Sequence, residues 1–377
     1  MLLGALITSS CVFISCNKVQ ANQNNDQAAG KGNPQDQILS GPLKFIGSWG
    51  TKGTDPGQFQ SPEWLAIDAT GNVFVADAGA KEVEKFTFDG HPLMSFNDAQ
   101  VAEPFRVAVD AGAGIYALSR NTNAFYVFSP EGEPFRHFPI TPQKTEQRPV
   151  GIAVDSNGDI FIIVTTGRAP AGSRQASVSD AKASTALLEQ AAHHEIRQYN
   201  ARGHYVRTIS TAGSGPAPGA NGANAGSGNG VGANGASANG ASANAANNGF
   251  SPASIGAGLD GNLYVLDVTG TRVEKFSADG KITAAWGGQP PQEGVPGDPI
   301  SQGLGIAVTS KYVFTPEPLN RGIRAWTLTG DARIVDNLGG RLQATSGEYQ
   351  VAVNQSKGEL VILDMAAAKI YRFHIDF

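Results

Sequence analysis

The residues of this chain best suited to binding are those that break an otherwise repeating pattern. Glu63-Trp64, Phe105-Arg106 and Tyr349-Gln350 each open a short strand-like run, and Arg120, Arg148, Glu317 and Arg321 stand in neighbouring loops. Aromatic faces beside guanidiniums at a concave mouth suit an anionic or carbohydrate-like ligand, or a protein partner. Other chemistry is sparse. The two cysteines, Cys11 and Cys16, fall within the first sixteen residues, so the chain beyond them has neither a disulfide nor a thiolate-ligated metal. No Gly-x-Ser-x-Gly occurs for a nucleophile elbow. Gly230-Val231-Gly232-Ala233-Asn234-Gly235 matches a dinucleotide fingerprint by letter, but it lies in a low-complexity stretch with no strand before it. Asp155-Ser156-Asn157-Gly158-Asp159 begins like a calcium loop, but Ile160 takes the place of the required glycine, so it reads as a turn.

Internal repetition supplies the elements that position these residues. Gly71-Asn72-Val73-Phe74-Val75-Ala76-Asp77 returns as Gly261-Asn262-Leu263-Tyr264-Val265-Leu266-Asp267, and Val83-Glu84-Lys85-Phe86 returns as Val273-Glu274-Lys275-Phe276. An aromatic residue four positions before a glycine marks weaker copies at Phe128/Gly132, Tyr199/Gly203 and Trp326/Gly330, with Phe373 as a sixth. Asp68, Asp110, Asp155, Gly258, Thr309 and Asn354 close the first strand of successive copies. Short alternating β-branched and aromatic runs, broken by Asp-Gly and Gly-Asn turns, predict four strands per copy. Such a unit has two apolar faces and buries them only against further copies. The expected fold is all-β, a six-bladed β-propeller. Leu43 to Trp49 is a spare strand that completes the last blade and closes the ring.

The units resemble NHL repeats. Gly57-Gln58-Phe59-Gln60-Ser61-Pro62 and the run from Asp267 to Phe276, with Arg272 at the family's arginine position, carry the likeness best. Ser119 and Glu317 depart from its second aspartate, and Ala124 and Gly322 from its arginine. The resemblance spans 43–377 apart from two insertions and implies the fold more than an activity, since propellers host lyases, hydrolases and binding modules alike.

The repeated Asp68, Asp110 and Asp155 recur at one strand end and read as turn-makers. Function is expected where the copies differ, on the rim carrying all the long connections. The insertion at 168–193 predicts a short helix from the Ser177 to Asp180 start and the Ala/Leu-rich stretch after it, with His193-His194 solvated at its end. The insertion at 212–249, mostly Ala, Asn, Gly and Ser, predicts disorder. None of the six histidines falls on an inner strand, which argues against a histidine metal site, although a calcium or zinc ion in the channel stays open.

Residues 1–16 read as a lipoprotein-type signal peptide, with Phe13-Ile14-Ser15-Cys16 resembling a lipobox and Cys16 as the lipidated residue. The missing basic segment ahead of Leu2 suggests a start codon upstream. Residues 17–42, polar and poor in apolar side chains, read as a disordered tether. The address is a bacterial cell envelope, facing the periplasm or at the outer membrane, with plain secretion as the alternative. Over 377 residues, 28 Lys+Arg against 33 Asp+Glu give a formal charge of −5 and no basic run, which disfavours nucleic acid and limits membrane contact to the anchor. The chain thus reads as a monomeric binding module without a cofactor. The alternative is a lyase- or lactone-hydrolase-like enzyme with a polar or metal site at the channel mouth.

Overall fold

A computed structural model describes residues 43–375 except 98–100, 102, 121, 144–146, 167–192, 211–251, 268–271, 288–303, 318–321 and 337–348. The signal segment, the tether, the insertion's predicted helix and the low-complexity insertion therefore lie outside the described residues.

The described chain forms twenty-four strands in six antiparallel four-stranded sheets. Strand β1 (Leu43–Trp49) comes first, and blade one is built from β2 (Pro62–Ile67), β3 (Val73–Asp77), β4 (Glu82–Phe86) and β5 (Pro92–Phe96). Blade two is β6 (Pro104–Val109), β7 (Ile115–Ser119), β8 (Ala124–Phe128) and β9 (Pro134–Pro139). Blade three is β10 (Gln147–Val154), β11 (Ile160–Thr166), β12 (His193–Tyr199) and β13 (Tyr205–Ser210). Blade four is β14 (Pro252–Ala257), β15 (Leu263–Asp267), β16 (Arg272–Phe276) and β17 (Ile282–Gly287). Blade five is β18 (Ala307–Val308), β19 (Tyr312–Glu317), β20 (Gly322–Thr327) and β21 (Ala332–Asp336). Blade six comprises β22 (Tyr349–Asn354), β23 (Glu359–Asp364) and β24 (Lys369–Ile375), and β1 supplies its fourth strand.

This is the six-bladed β-propeller expected from the repeat. The ring closes as the spare strand implied: β1 pairs antiparallel with β24 from Leu43↔Ile375 to Trp49↔Ile370, and Phe45 meets Phe373 edge-on at 5.7 Å. The first described strand thereby completes the last sheet, so opening the ring requires breaking a full strand pairing.

Six apolar clusters form the core, and each gathers residues from two neighbouring blades. Trp64 and Phe74 of blade one pack with Val107 and Ala117 of blade two, whereas Leu65 and Val75 pack with Val361 and Leu363 of blade six. Alternation along each strand sends successive side chains to opposite neighbours, so no blade is apolar on one face only. The aromatic–glycine spacing has its cause here. Gly132 and Gly330 sit in outer turns at φ +80° and +95°, and an added Cβ would lie 2.8 Å from Phe96 and Trp286, the outer-strand aromatics of the preceding blades. Both the left-handed backbone and the close approach demand glycine.

The repeated aspartates make turns. Asp68 accepts from the amides of Thr70 (2.9 Å) and Asn72 (2.8 Å), Asp110 from those of Gly112 and Gly114, and Asp155 from those of Asn157 and Asp159. The second aspartate ties a blade to the loop that precedes it: Asp77 accepts from the amides of Gln60 (2.6 Å), Ser61 (2.8 Å), Gly79 (2.9 Å) and Ala80 (3.0 Å).

One expectation needs correcting. His193 and His194 begin strand β12 rather than ending an insertion helix, and His194 is buried with Nδ1 2.9 Å from Thr165 Oγ1. Strand pairing with Thr165 and Thr166 draws this dipeptide into the sheet.

Candidate functional site at the channel mouth

Proline starts the inner strand of three blades and is the third residue of it in blade three, and in each the register slips by one residue directly after it, at Pro62/Trp64, Pro104/Arg106, Pro149/Gly151 and Pro252/Ser254. Proline cannot donate to the ladder, and the extra residue forms a bulge that re-aims its neighbours. The first paired position after the bulge is Trp64, Arg106, Gly151 and Ser254 in blades one to four. Gln350, paired with Leu363, holds the matching place in blade six, which has no bulge. The copies differ sharply here, at one level of the ring.

The structure brings five of the expected residues together. Arg106 lays its guanidinium over Trp64, with Cζ 4.1 Å from the ring centroid, and also lies 4.9 Å from the Phe105 ring. Arg120, in the turn after β7, lies 4.9 Å from the same Phe105 ring and pairs with the Glu63 carboxylate. Arg106 is further held by two carbonyls, with Nε donating to Val150 O at 3.0 Å and Nη1 to Phe105 O at 2.9 Å. Its Nη2 has no hydrogen-bond partner among the described residues. Desolvation pulls the Arg106 pKa down to about 9, with the Arg120 charge adding to the fall and Glu63 opposing it. Glu63 is paired to Arg120 and bears on Arg106 only through its charge, leaving an oriented and poorly solvated positive charge on Arg106.

Two further donors occupy the same ring position. Ser254 Oγ and Gln350 Nε2 are buried without a hydrogen-bond partner among the described residues. A buried, unpaired donor costs on the order of 1–3 kcal/mol, and at 0% and 1% exposure neither residue meets solvent. Ser254 escaped the sequence reading because a small hydroxyl has no aromatic or charge signal. Alignment on Pro252, two residues upstream, would have placed it opposite Arg106.

The other expected residues are dispersed. Tyr349 is wholly buried in the core between blades five and six and presents no face to a solute there. Trp64 and Phe105 are also buried core residues. Arg148 is exposed, and its side chain makes no hydrogen bond or ion pair among the described residues. Glu317 ends β19 in blade five, and Arg321 lies outside the described residues. Among the described residues, no group of three or more His, Cys, Asp or Glu side chains is placed to hold a metal ion.

No family model matches the chain. It is 28% identical over 137 residues to Protein brain tumor of Drosophila melanogaster, a match covering 34% of this chain and 13% of that protein. The chain therefore spans only a small part of that relative's length. Among solved structures it is similar to a streptogramin B lyase, at 14% identity with 89% of this chain and 88% of the other covered, and a TM-score of 0.49. It is likewise similar to a selenomethionine-substituted virginiamycin B lyase from Staphylococcus aureus, at 12% identity with 88% and 99% covered, again with a TM-score of 0.49.

Proposed function

We propose that this propeller of NHL-type repeats is an exported binding module, anchored through a lipid on Cys16, whose channel mouth accepts a carboxylate-bearing ligand. Two forms of ligand fit: an acidic sugar, or the acidic side chain of a protein partner. The observation that carries the reading is Arg106. Its planar head is stacked on Trp64, two of its donors are fixed by backbone carbonyls, and Nη2 is left over. A guanidinium oriented in this way has surrendered its rotamer entropy before a ligand arrives, and its remaining edge matches a carboxylate.

The test is calorimetric titration of the purified protein with oligogalacturonate and with a tetra-glutamate peptide, compared with Arg106→Gln. Saturable binding that weakens at least tenfold in the variant supports the reading. Binding that is equal in the two proteins, or absent for both ligands, sinks it.

A further inference from the structure

Beside blade one lies a cavity of about 450 Å³, roofed by the 53–60 loop and floored by β4 and β5. Its lining includes Asp55, Glu82 and Glu84, with Phe86 and Met94 as apolar walls, and contains no Lys, Arg or His. The loop is shaped before any ligand arrives. Gly53 N donates to Phe59 O at 3.0 Å, Phe59 N to Thr51 O at 2.9 Å and Gln58 N to Asp55 O at 2.9 Å, while Phe59 is buried against Phe86 at 5.5 Å.

Glu84 is the anomaly. It is only 7% exposed and lines the cavity, and its carboxylate has no hydrogen-bond or ion-pair partner among the described residues. Burying a carboxylate without a partner is costly, and native folds seldom leave one so.

Blade four is an internal control. Its Glu274 stands where Glu84 stands, each paired to the valine in the middle of the neighbouring strand, and Asp267 stands where Asp77 stands. There Arg272 places Nη2 2.5 Å from Glu274 Oε1 and Nε 3.4 Å from Asp267 Oδ2. The fold therefore accommodates a guanidinium between these two carboxylates. In blade one the position of Arg272 is taken by Glu82, which pairs with Asp77 as Arg272 pairs with Asp267. An anion stands where blade four has a cation, and a preformed cavity opens at that place.

We propose that the blade-one cavity is a second binding site, distinct from the channel mouth, that receives a guanidinium from outside the chain and seats it against Glu84 and Glu82 as Arg272 is seated in blade four. The cavity walls take the alkyl stem and the carboxylates take the planar head. Binding tightens with rising pH, because the charged partner is the ionised Glu84. The ionisable groups around Glu84 are all acidic: Asp77 on β3, Glu82 on its own strand and Asp55 on the loop, while β5 lines the cavity with no ionisable side chain. Their repulsion and the burial both hold the Glu84 proton until a cation arrives.

The test is calorimetry on the full chain at pH 6.5 and 8.5 with three probes: L-arginine amide, an acetyl-Gly-Arg-Gly-amide peptide, and L-citrulline amide, which has the same shape without the charge. The expected result is one-to-one binding of at least one arginine probe, tenfold or more tighter than citrulline amide and tighter at pH 8.5. Preference for the peptide identifies a partner's side chain as the source, and preference for arginine amide a free small molecule. Glu84→Gln should abolish binding, and Glu82→Arg, which rebuilds the blade-four pairing from within, should block it while raising the melting temperature. Equal binding of citrulline amide, arginine binding that survives Glu82→Arg, or no saturable binding of either arginine probe would overturn the proposal. The channel-mouth reading is untouched by each of these outcomes, because it is probed with anions and through Arg106.

Discussion

Glu84 also makes the stability of the protein depend on pH in a direction opposite to that of most paired carboxylates. Burial, reinforced by the charges of Asp77 and Glu82, moves its pKa from 4.5 to about 8. Between those values the folded chain holds a proton that the unfolded chain has released, so stability falls as pH rises and the loss is complete above the folded value. At about 1.4 kcal/mol per pH unit, the difference amounts to on the order of 4–5 kcal/mol. The cavity admits water to one side of the carboxylate, and screening there brings the expected size to about 2 kcal/mol. Glu84→Gln keeps the shape of the protonated acid and cannot ionise. Its stability should match that of the parent at pH 4.5 and exceed it by about 2 kcal/mol at pH 9, read from urea unfolding at each pH. Glu274→Gln supplies the contrast: burial raises the Glu274 pKa as well, but the Arg272 charge works against that rise, so its gain at pH 9 should be smaller than that of Glu84→Gln. A gain for Glu84→Gln that is the same at pH 4.5 and 9, or a loss at pH 9, would refute the reasoning.

The ring closure and the anchor each give a further expected outcome. Phe373 is 1% exposed and packs on Phe45 across the closing strand pair, so Phe373→Ala should cost about 3–5 kcal/mol and lower the melting temperature sharply. Cys16→Ala should abolish incorporation of radiolabelled palmitate and release the protein from the membrane fraction, and labelling that persists would remove the anchor from the proposal.

The architecture was legible because it is repeated. A strand that must pack on two neighbours carries apolar residues in a fixed order, and the turn aspartates and outer glycines recur because hydrogen-bond geometry and the lack of a Cβ leave little choice there. The channel mouth was half legible. Trp64, Phe105, Arg106, Glu63 and Arg120 announced themselves by residue type, and they do meet. Tyr349 carried the same signal but fills a core position, because an aromatic at a strand start is equally good packing. His194 misled for a related reason: its neighbours in sequence suggested a helix, while its partner Thr165 lies twenty-nine residues away and only the sheet brings them together.

The blade-one cavity is the instructive omission, because its signal was present in the two best-matched copies. Val83-Glu84-Lys85-Phe86 and Val273-Glu274-Lys275-Phe276 agree at every position that packs, and that agreement drew attention away from the residue just before them, glutamate in one and arginine in the other. Agreement between copies reports what the blade needs in order to stack. A reversal of charge within that agreement reports something else, since the buried Glu84 faces Glu82 where Glu274 faces Arg272. A fold under selection for stability alone would remove both or keep both, because an unpaired buried carboxylate costs more than either alternative. Retaining Glu84 opposite Glu82 has physical sense if the missing positive charge is delivered by something that comes and goes.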